Sequence, residues 1–178
     1  FGIVFRRAGV IVWVRLFGRS GSNPCQGRPR VKGVSPDRIR NFVIAGHAGC
    51  GKTTLSDRLL FKAGAVSRAG SVADGSSVSD FRAEEQERRC SIYASPLHCS
   101  WKDHHYFFVD TPGYADFFGE TKLAIRSADL VLIVVDAATG IDMGTIRAWK
   151  TARQFGIPRA IFINGMDKEQ ASFANVLG

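Results

Sequence analysis

Two apolar patterns alternate along most of this chain. Residues 39–45 read as a short apolar strand, and 130–136 and 160–163 are almost continuously apolar, as strands buried on both faces would be. Between them lie stretches of helical pattern over 54–62, 120–128 and 143–155, the first with Leu55 and Leu59 one turn apart. Residues 92–101 and 106–110 form two further strand-like runs, and Lys102-Asp103-His104-His105 between them predicts a hairpin turn. Strands that alternate with helices predict an α/β fold: a mostly parallel sheet, helices on both faces and an antiparallel edge hairpin.

The remaining segments lack this periodicity. Residues 64–91 carry Gly64, Gly70, Gly75 and several serines, which predicts a long polar loop. Its acid run of Glu84, Glu85 and Glu87 reads as a solvated face. Residues 8–17 are apolar but interrupted by Arg15, and fall far short of the ~20 residues a membrane span needs. Arg6-Arg7 ahead of that run mimics a secretion signal. Residues 18–36 have a Gly/Ser/Pro/Arg linker composition. The chain starts at Phe1, and its two methionines are Met143 and Met166. The expectation is therefore a basic leader over 1–37, disordered or non-native upstream sequence, followed by an incomplete domain over 38–178.

Composition adds one correction. The chain of 178 residues is 45% hydrophobic and 22% charged, enough for one globular domain. The net charge of +8 invites a nucleic-acid reading, but it is not spread evenly. Residues 1–40 hold nine Arg and Lys against one acid, Asp37; beyond them 15 basic and 15 acidic residues balance. The main body is therefore no basic patch, and no DNA partner and no membrane partner are expected. Cys25, Cys50, Cys90 and Cys99 form no C-x-x-C pair, which fits a reducing, cytoplasmic compartment. His98, His104 and His105 have no metal-ligand partner at useful spacing.

The chemistry sits where strands end. Gly46-His47-Ala48-Gly49-Cys50-Gly51-Lys52-Thr53 fits G-x-x-x-x-G-K-[ST] at every fixed position, between an apolar strand and a helix. Glycines let backbone N–H groups turn inward around a phosphate, and the helix N-terminus adds positive partial charge. Lys52 can reach the outer phosphates and the Thr53 hydroxyl can ligate magnesium. The plainer alternative is a Gly-rich turn opening an ordinary helix. Against it, Asp110-Thr111-Pro112-Gly113 ends a later strand, where an acid can face magnesium and a backbone N–H can face phosphate. Asn164-Gly165-Met166-Asp167 ends another.

These three motifs occur in the order and spacing of translational GTPases. Asp74-Gly75, Glu85-Gln86-Glu87-Arg88 and the continuation Tyr114-Ala115-Asp116-Phe117 resemble elongation factor G, and most of all the elongation factor G-like paralogues. The resemblance covers about residues 38–170. It implies a P-loop domain truncated at its C-terminal end, GTP or GDP and a magnesium ion as ligands, and the ribosome as partner. Gly46 through Thr53 would hold the phosphates; Thr53, Ser91 and Asp110 would hold magnesium. Asp110, Thr111, Pro112, Gly113 and Tyr114 would form the second switch, and Asn164, Gly165, Met166 and Asp167 the base-reading loop. Lys52, Asp110, Gly113 and Tyr114 would carry catalysis.

Several positions depart from the family pattern. Tyr114 stands where the family has the His that orients the attacking water; a phenol is larger and cannot handle a proton at neutral pH as an imidazole does. Gly49 replaces the usual Asp, Gly165 the Lys that packs along the base, and Arg89-Cys90 the usual Gly-Ile. The implied function is a GTP-binding domain of an elongation factor G-like translation factor with slow magnesium-dependent GTP hydrolysis. The alternative is a GTP-dependent binding switch on the ribosome with negligible hydrolysis. An ATP-using P-loop enzyme is disfavoured by Asn164 and Asp167.

Overall fold

The computed structural model describes residues 2–7, 10–15, 34–173 and 176. Its elements run in chain order β1 (Gly2–Arg7), β2 (Val10–Arg15), β3 (Ile39–Gly46), α1 (Lys52–Lys62), α2 (Ala83–Arg88), β4 (Ser95–Trp101), β5 (His104–Asp110), α3 (Phe118–Ser127), β6 (Leu130–Asp136), α4 (Met143–Gln154) and β7 (Arg159–Asn164). The strands form one sheet in the order β1-β2-β7-β6-β3-β5-β4. β3 lies between β5 and β6 and runs parallel to both, and β6 runs parallel to β7. β4 closes one edge antiparallel to β5. The α/β architecture expected from the alternating pattern is thus the one observed.

Side-chain alternation along the central strand separates two cores. Val43 and Ala45 of β3 join Ala124 and Ile125 of α3 and Ala148 and Ala152 of α4 on one face. Ile44 joins Leu60 of α1 and Phe108 of β5 on the other. Helices therefore cover both faces. Each of the large side chains in these clusters contributes roughly 1.5–3 kcal/mol by leaving water. No helix among the described residues is long and apolar enough to cross a membrane.

Three local expectations need correction. The hairpin turn is Lys102-Asp103 alone, both in the left-handed region at φ 47° and 62°, as a tight two-residue turn requires. His104 and His105 therefore belong to β5. Residues 92–94 do not begin β4. The backbone N–H groups of Ile92 and Tyr93 donate to Glu85 Oε1 at 2.9 and 3.1 Å, so they are withdrawn from the sheet ladder. Glu85 itself sits on a short helix within the polar segment and is buried, while Glu84 and Glu87 are exposed.

In the leader, β1 and β2 pair antiparallel, and β2 runs antiparallel to β7 with Val12 opposite Phe162. The expected leader of residues 1–37 thus contains two strands, and residues 16–33 of it lie outside the described residues.

Candidate functional site

The C-terminal ends of β3, β5 and β7 converge because parallel strands all point the same way. β3 ends in Gly46, whose φ of 149° turns the chain out of the sheet. A Cβ there would strike the Val134 carbonyl oxygen, so only glycine fits. Residues 47–51 complete the loop, and Gly51, left-handed at φ 90°, delivers the chain into α1. The helix opens on Lys52 and Thr53, both buried. Lys52 Nζ donates to the His47 carbonyl oxygen at 2.7 Å, so its side chain folds back over the loop it follows.

Asp110, Thr111, Pro112 and Gly113 meet this loop from β5. Thr111 Oγ1 donates to the Ile44 carbonyl oxygen at 2.8 Å, and Thr121 Oγ1 donates to the Pro112 carbonyl oxygen at 2.9 Å, which fixes the turn between β3 and α3. Gly113 lies against Ala48 and Lys52: a Cβ on it would sit 2.5 Å from both Ala48 N and Lys52 Nζ. No larger residue fits there without moving the Gly-rich loop.

Beside Thr53 lies a chain of oxygen atoms. Ser91 Oγ donates to Asp80 Oδ1 at 2.7 Å and stands 3.0 Å from Thr53 Oγ1. Ser91 has one proton to give and gives it to Asp80, so Thr53 is the donor in its pair. Asp80 Oδ2 and both oxygens of Asp110 are buried without a hydrogen-bond partner. Burial pushes the Asp110 carboxyl up to about 6; the nearby Thr53 hydroxyl and Lys52 ammonium pull the other way, and Asp80 adds to the rise. The Thr53 and Ser79 hydroxyls lie close enough to ease the Asp110 charge without reaching hydrogen-bond geometry. Asp80 is raised too, chiefly by burial. Two hydroxyls and three orphaned carboxylate oxygens form a donor set suited to a hard divalent cation. The residues present therefore fit magnesium.

Ala48, Gly49, Gly51, Lys52, Thr53, Asp80, Arg89, Ser91, Gly113 and Tyr114 are among the walls of one cavity of about 220 Å³. An open groove of about 670 Å³ beside α3 shares none of these residues and lies away from the Gly-rich loop. The smaller cavity is the candidate site. Tyr114 is half-exposed at its rim. Cys50 is buried within the core cluster on the α1 face, and burial raises its thiol.

Asn164, Gly165, Met166 and Asp167 stand apart from this cavity, and Asn164 is tied to its Gly-rich loop. Asn164 Nδ2 donates to the Cys50 carbonyl oxygen at 2.9 Å, joining the end of β7 to the Gly-rich loop. Gly165 is left-handed at φ 72°, Met166 packs on the core, and Asp167 is exposed. Two residues escaped the reading of the sequence. Asp80 lies in a stretch without periodicity, and only its contact with Ser91 marks it. Asp57, fully buried in α1, accepts the Val78 N–H at 3.0 Å and so anchors the segment that carries Asp80.

Comparison with known proteins agrees with this geometry. Residues 37–178 match the Elongation factor Tu GTP binding domain family. The chain is 35% identical over 175 residues to the protein named Ribosome-releasing factor 2, mitochondrial, of Debaryomyces hansenii, a match covering 98% of this chain and 20% of that one. A crystal structure of a Thermus thermophilus protein superposes with a TM-score of 0.74 at 36% identity, over 79% of this chain and 21% of that one. A bacterial selenocysteine-specific elongation factor gives 0.52 at 28% identity, over 67% of this chain and 18% of its own. The chain thus spans about one fifth of the length of each of these relatives. With four-fifths of its residues in the family match and the phosphate-loop geometry that such a domain needs, this chain belongs to the family of the elongation factor Tu GTP-binding domain.

Proposed function

We propose that this chain is the GTP-binding domain of an elongation factor G-like translation factor. One observation carries the reading: Lys52 and Gly113 close on the same Gly-rich loop, beside a buried carboxylate, Asp110, whose oxygens have no hydrogen-bond partner among the described residues. That arrangement suits a phosphate chain with its cation. Gly46 through Gly51 would offer backbone N–H groups to the β- and γ-phosphates. Lys52 would leave the His47 carbonyl and turn its ammonium to the outer phosphates. Thr53, Ser91 and Asp110, with Asp80 behind Ser91, would hold magnesium; bound there, the ion supplies charge neutralisation to the phosphate oxygens. The Gly113 N–H would face the γ-phosphate. Asn164 and Asp167 would read the guanine edge.

The reaction is attack of water on the γ-phosphate of GTP, releasing GDP and phosphate. Most of the protein's contribution to such a transfer is placement and charge stabilisation. Tyr114 at the rim favours slow hydrolysis, and a second reading follows from the same residue: a switch that binds GTP, changes its contacts on the ribosome and turns over negligibly. The ribosome enters through the name of the Debaryomyces hansenii relative. The cysteine pattern supports a reducing compartment, and that relative's name adds the mitochondrion to the cytoplasm as a location.

The test is competition binding on the full-length protein. Labelled GDP should be displaced by GTP but not by ATP at equal concentration, because a carboxylate that accepts from guanine meets no such donors on adenine. Lys52→Ala should abolish measurable nucleotide binding while the fold persists. Displacement by ATP, or undiminished GTP binding by the variant, would overturn the reading.

A further inference from the structure

We infer that Arg89 contacts the outermost phosphate of a bound nucleoside triphosphate and sets the preference of the site for the triphosphate over the diphosphate. The inference rests on the nucleotide reading above. Arg89 lines the same cavity as Lys52, Thr53, Ser91, Gly113 and Tyr114. Apart from Lys52 it is the cation among the described residues of that lining.

Its backbone is the second observation. Arg89 caps α2 in the left-handed conformation, at φ 52° and ψ 41°. Side chains with a Cβ adopt that region at a cost, whereas glycine adopts it freely. What the cap needs is made by backbone atoms alone: the Arg89 N–H donates to the Glu85 carbonyl oxygen, and the Cys90 N–H donates to the same oxygen at 3.1 Å. A glycine would make both bonds with less strain. Local structure therefore gives no reason for an arginine at this point.

Tertiary structure gives none either. Among the described residues the Arg89 guanidinium has no hydrogen bond and no ion pair, and it is exposed. A strained residue with an idle charge, at the wall of the cavity beside the Gly-rich loop, is the kind of outlier that points to ligand contact. The planar guanidinium donates through a fixed fork that matches two phosphate oxygens at once. On the proposed reading the Gly-rich loop, Lys52 and the Gly113 N–H already hold the β- and γ-phosphates. Arg89, two residues before Ser91 on another segment of the lining, would add a second cation at the outermost phosphate.

The experiment uses the full-length protein and its Arg89→Gly and Arg89→Asn variants, since both replacements tolerate the left-handed region. Calorimetry measures GDP and the β,γ-imido analogue of GTP, and a thermal melt of each nucleotide-free protein is taken alongside. The variants should melt at or above the parent temperature, because strain is relieved. They should bind the triphosphate analogue about tenfold more weakly while GDP affinity changes less than twofold, a difference of ~1.4 kcal/mol. An unchanged ratio of the two affinities overturns the inference and leaves the nucleotide reading standing. A parent protein that binds neither nucleotide overturns both.

Discussion

Lys168 lies across Gly165. A Cβ on Gly165 would meet Lys168 Cε at 3.2 Å and Nζ at 3.5 Å, so the lysine stem occupies the space that a side chain at 165 would fill. Its Nζ is 2.5 Å from Asp136 Oδ2, and the Lys168 N–H donates to the Gly165 carbonyl oxygen at 3.2 Å. Burial would raise the Asp136 carboxyl, but Lys168 and the Ala138 N–H bring it below its usual range. The turn that follows Asn164 is therefore held from its own end, by a residue three places on.

Removing that hold should loosen the loop proposed to read the base. Half of the Lys168 side chain is exposed, so the ion pair itself contributes no more than about 1 kcal/mol. Lys168→Ala should weaken GDP binding by about fivefold, since about 1.4 kcal/mol corresponds to tenfold. Lys168→Met, which keeps the stem and drops the charge, should fall between that variant and the parent. Calorimetric titration with GDP decides it; equal affinity for all three proteins would show that the turn needs no such support.

The buried acids set a pH dependence for the nucleotide-free, magnesium-free protein. Asp110 has its folded-state value raised from 3.8 to about 6, and Asp57 and Asp80 move in the same direction, all chiefly through burial. A raised carboxyl means that the folded state holds the proton more tightly than the unfolded chain. Stability is then present below the unfolded value and falls as pH rises through the folded one. For Asp110 alone the cost at pH 7 is on the order of 3 kcal/mol. In chelator, Tm should be higher at pH 5 than at pH 7. Asp110→Asn should flatten that slope and at the same time remove the strengthening of GTP binding by magnesium. A melt that rises from pH 5 to pH 7 in the parent would show that other groups govern the window.

How much of this was legible beforehand follows the physics of each signal. β6 runs over Leu130–Asp136 as the apolar run predicts, because a strand with both faces covered carries an almost continuous apolar run. The Gly-rich loop was legible because its glycines answer a backbone demand, seen at Gly46 and Gly51. Glu85 and Asp80 were not. Each is a polar residue in a polar segment, and each is buried by contacts that arise only on folding: Glu85 with Ile92 and Tyr93, Asp80 with Ser91. Lys168 escaped for a related reason. Its relation to Gly165 comes from a turn, and charge or periodicity does not encode it.

The leader offers a separable test. Among the described residues, none before Ala48 lines the cavity. Among the described residues, the leader pairs with the body through β2 along β7, whose last residue is Asn164. Deleting residues 1–36 should leave GDP affinity within about twofold of the parent, because an edge strand can be removed without altering the site it does not touch. Loss of binding on deletion would mean that β2 is needed to hold β7, and with it Asn164, in place.

On the proposed reading, Tyr114 would decide between enzyme and switch. It follows Gly113 directly, lines the cavity and is half-exposed. The backbone there is extended, at φ −75° and ψ 146°, and leads straight into a short turn at Ala115–Phe117, so the residue is placed by the same segment that places Gly113. A phenol at this point can donate one hydrogen bond, but from a longer and differently shaped side chain than an imidazole. Positioning is most of what a protein supplies to phosphoryl transfer. Hydrolysis by the full-length protein alone should therefore be very slow, and ribosomes should stimulate it less than they stimulate a relative with histidine here. Tyr114→His should raise the ribosome-dependent rate by at least about tenfold, equivalent to roughly 1.4 kcal/mol of barrier. Single-turnover release of phosphate from GTP, with and without ribosomes, measures both proteins. Brisk turnover by the parent that the substitution leaves unchanged would place the water elsewhere and remove the case for a switch.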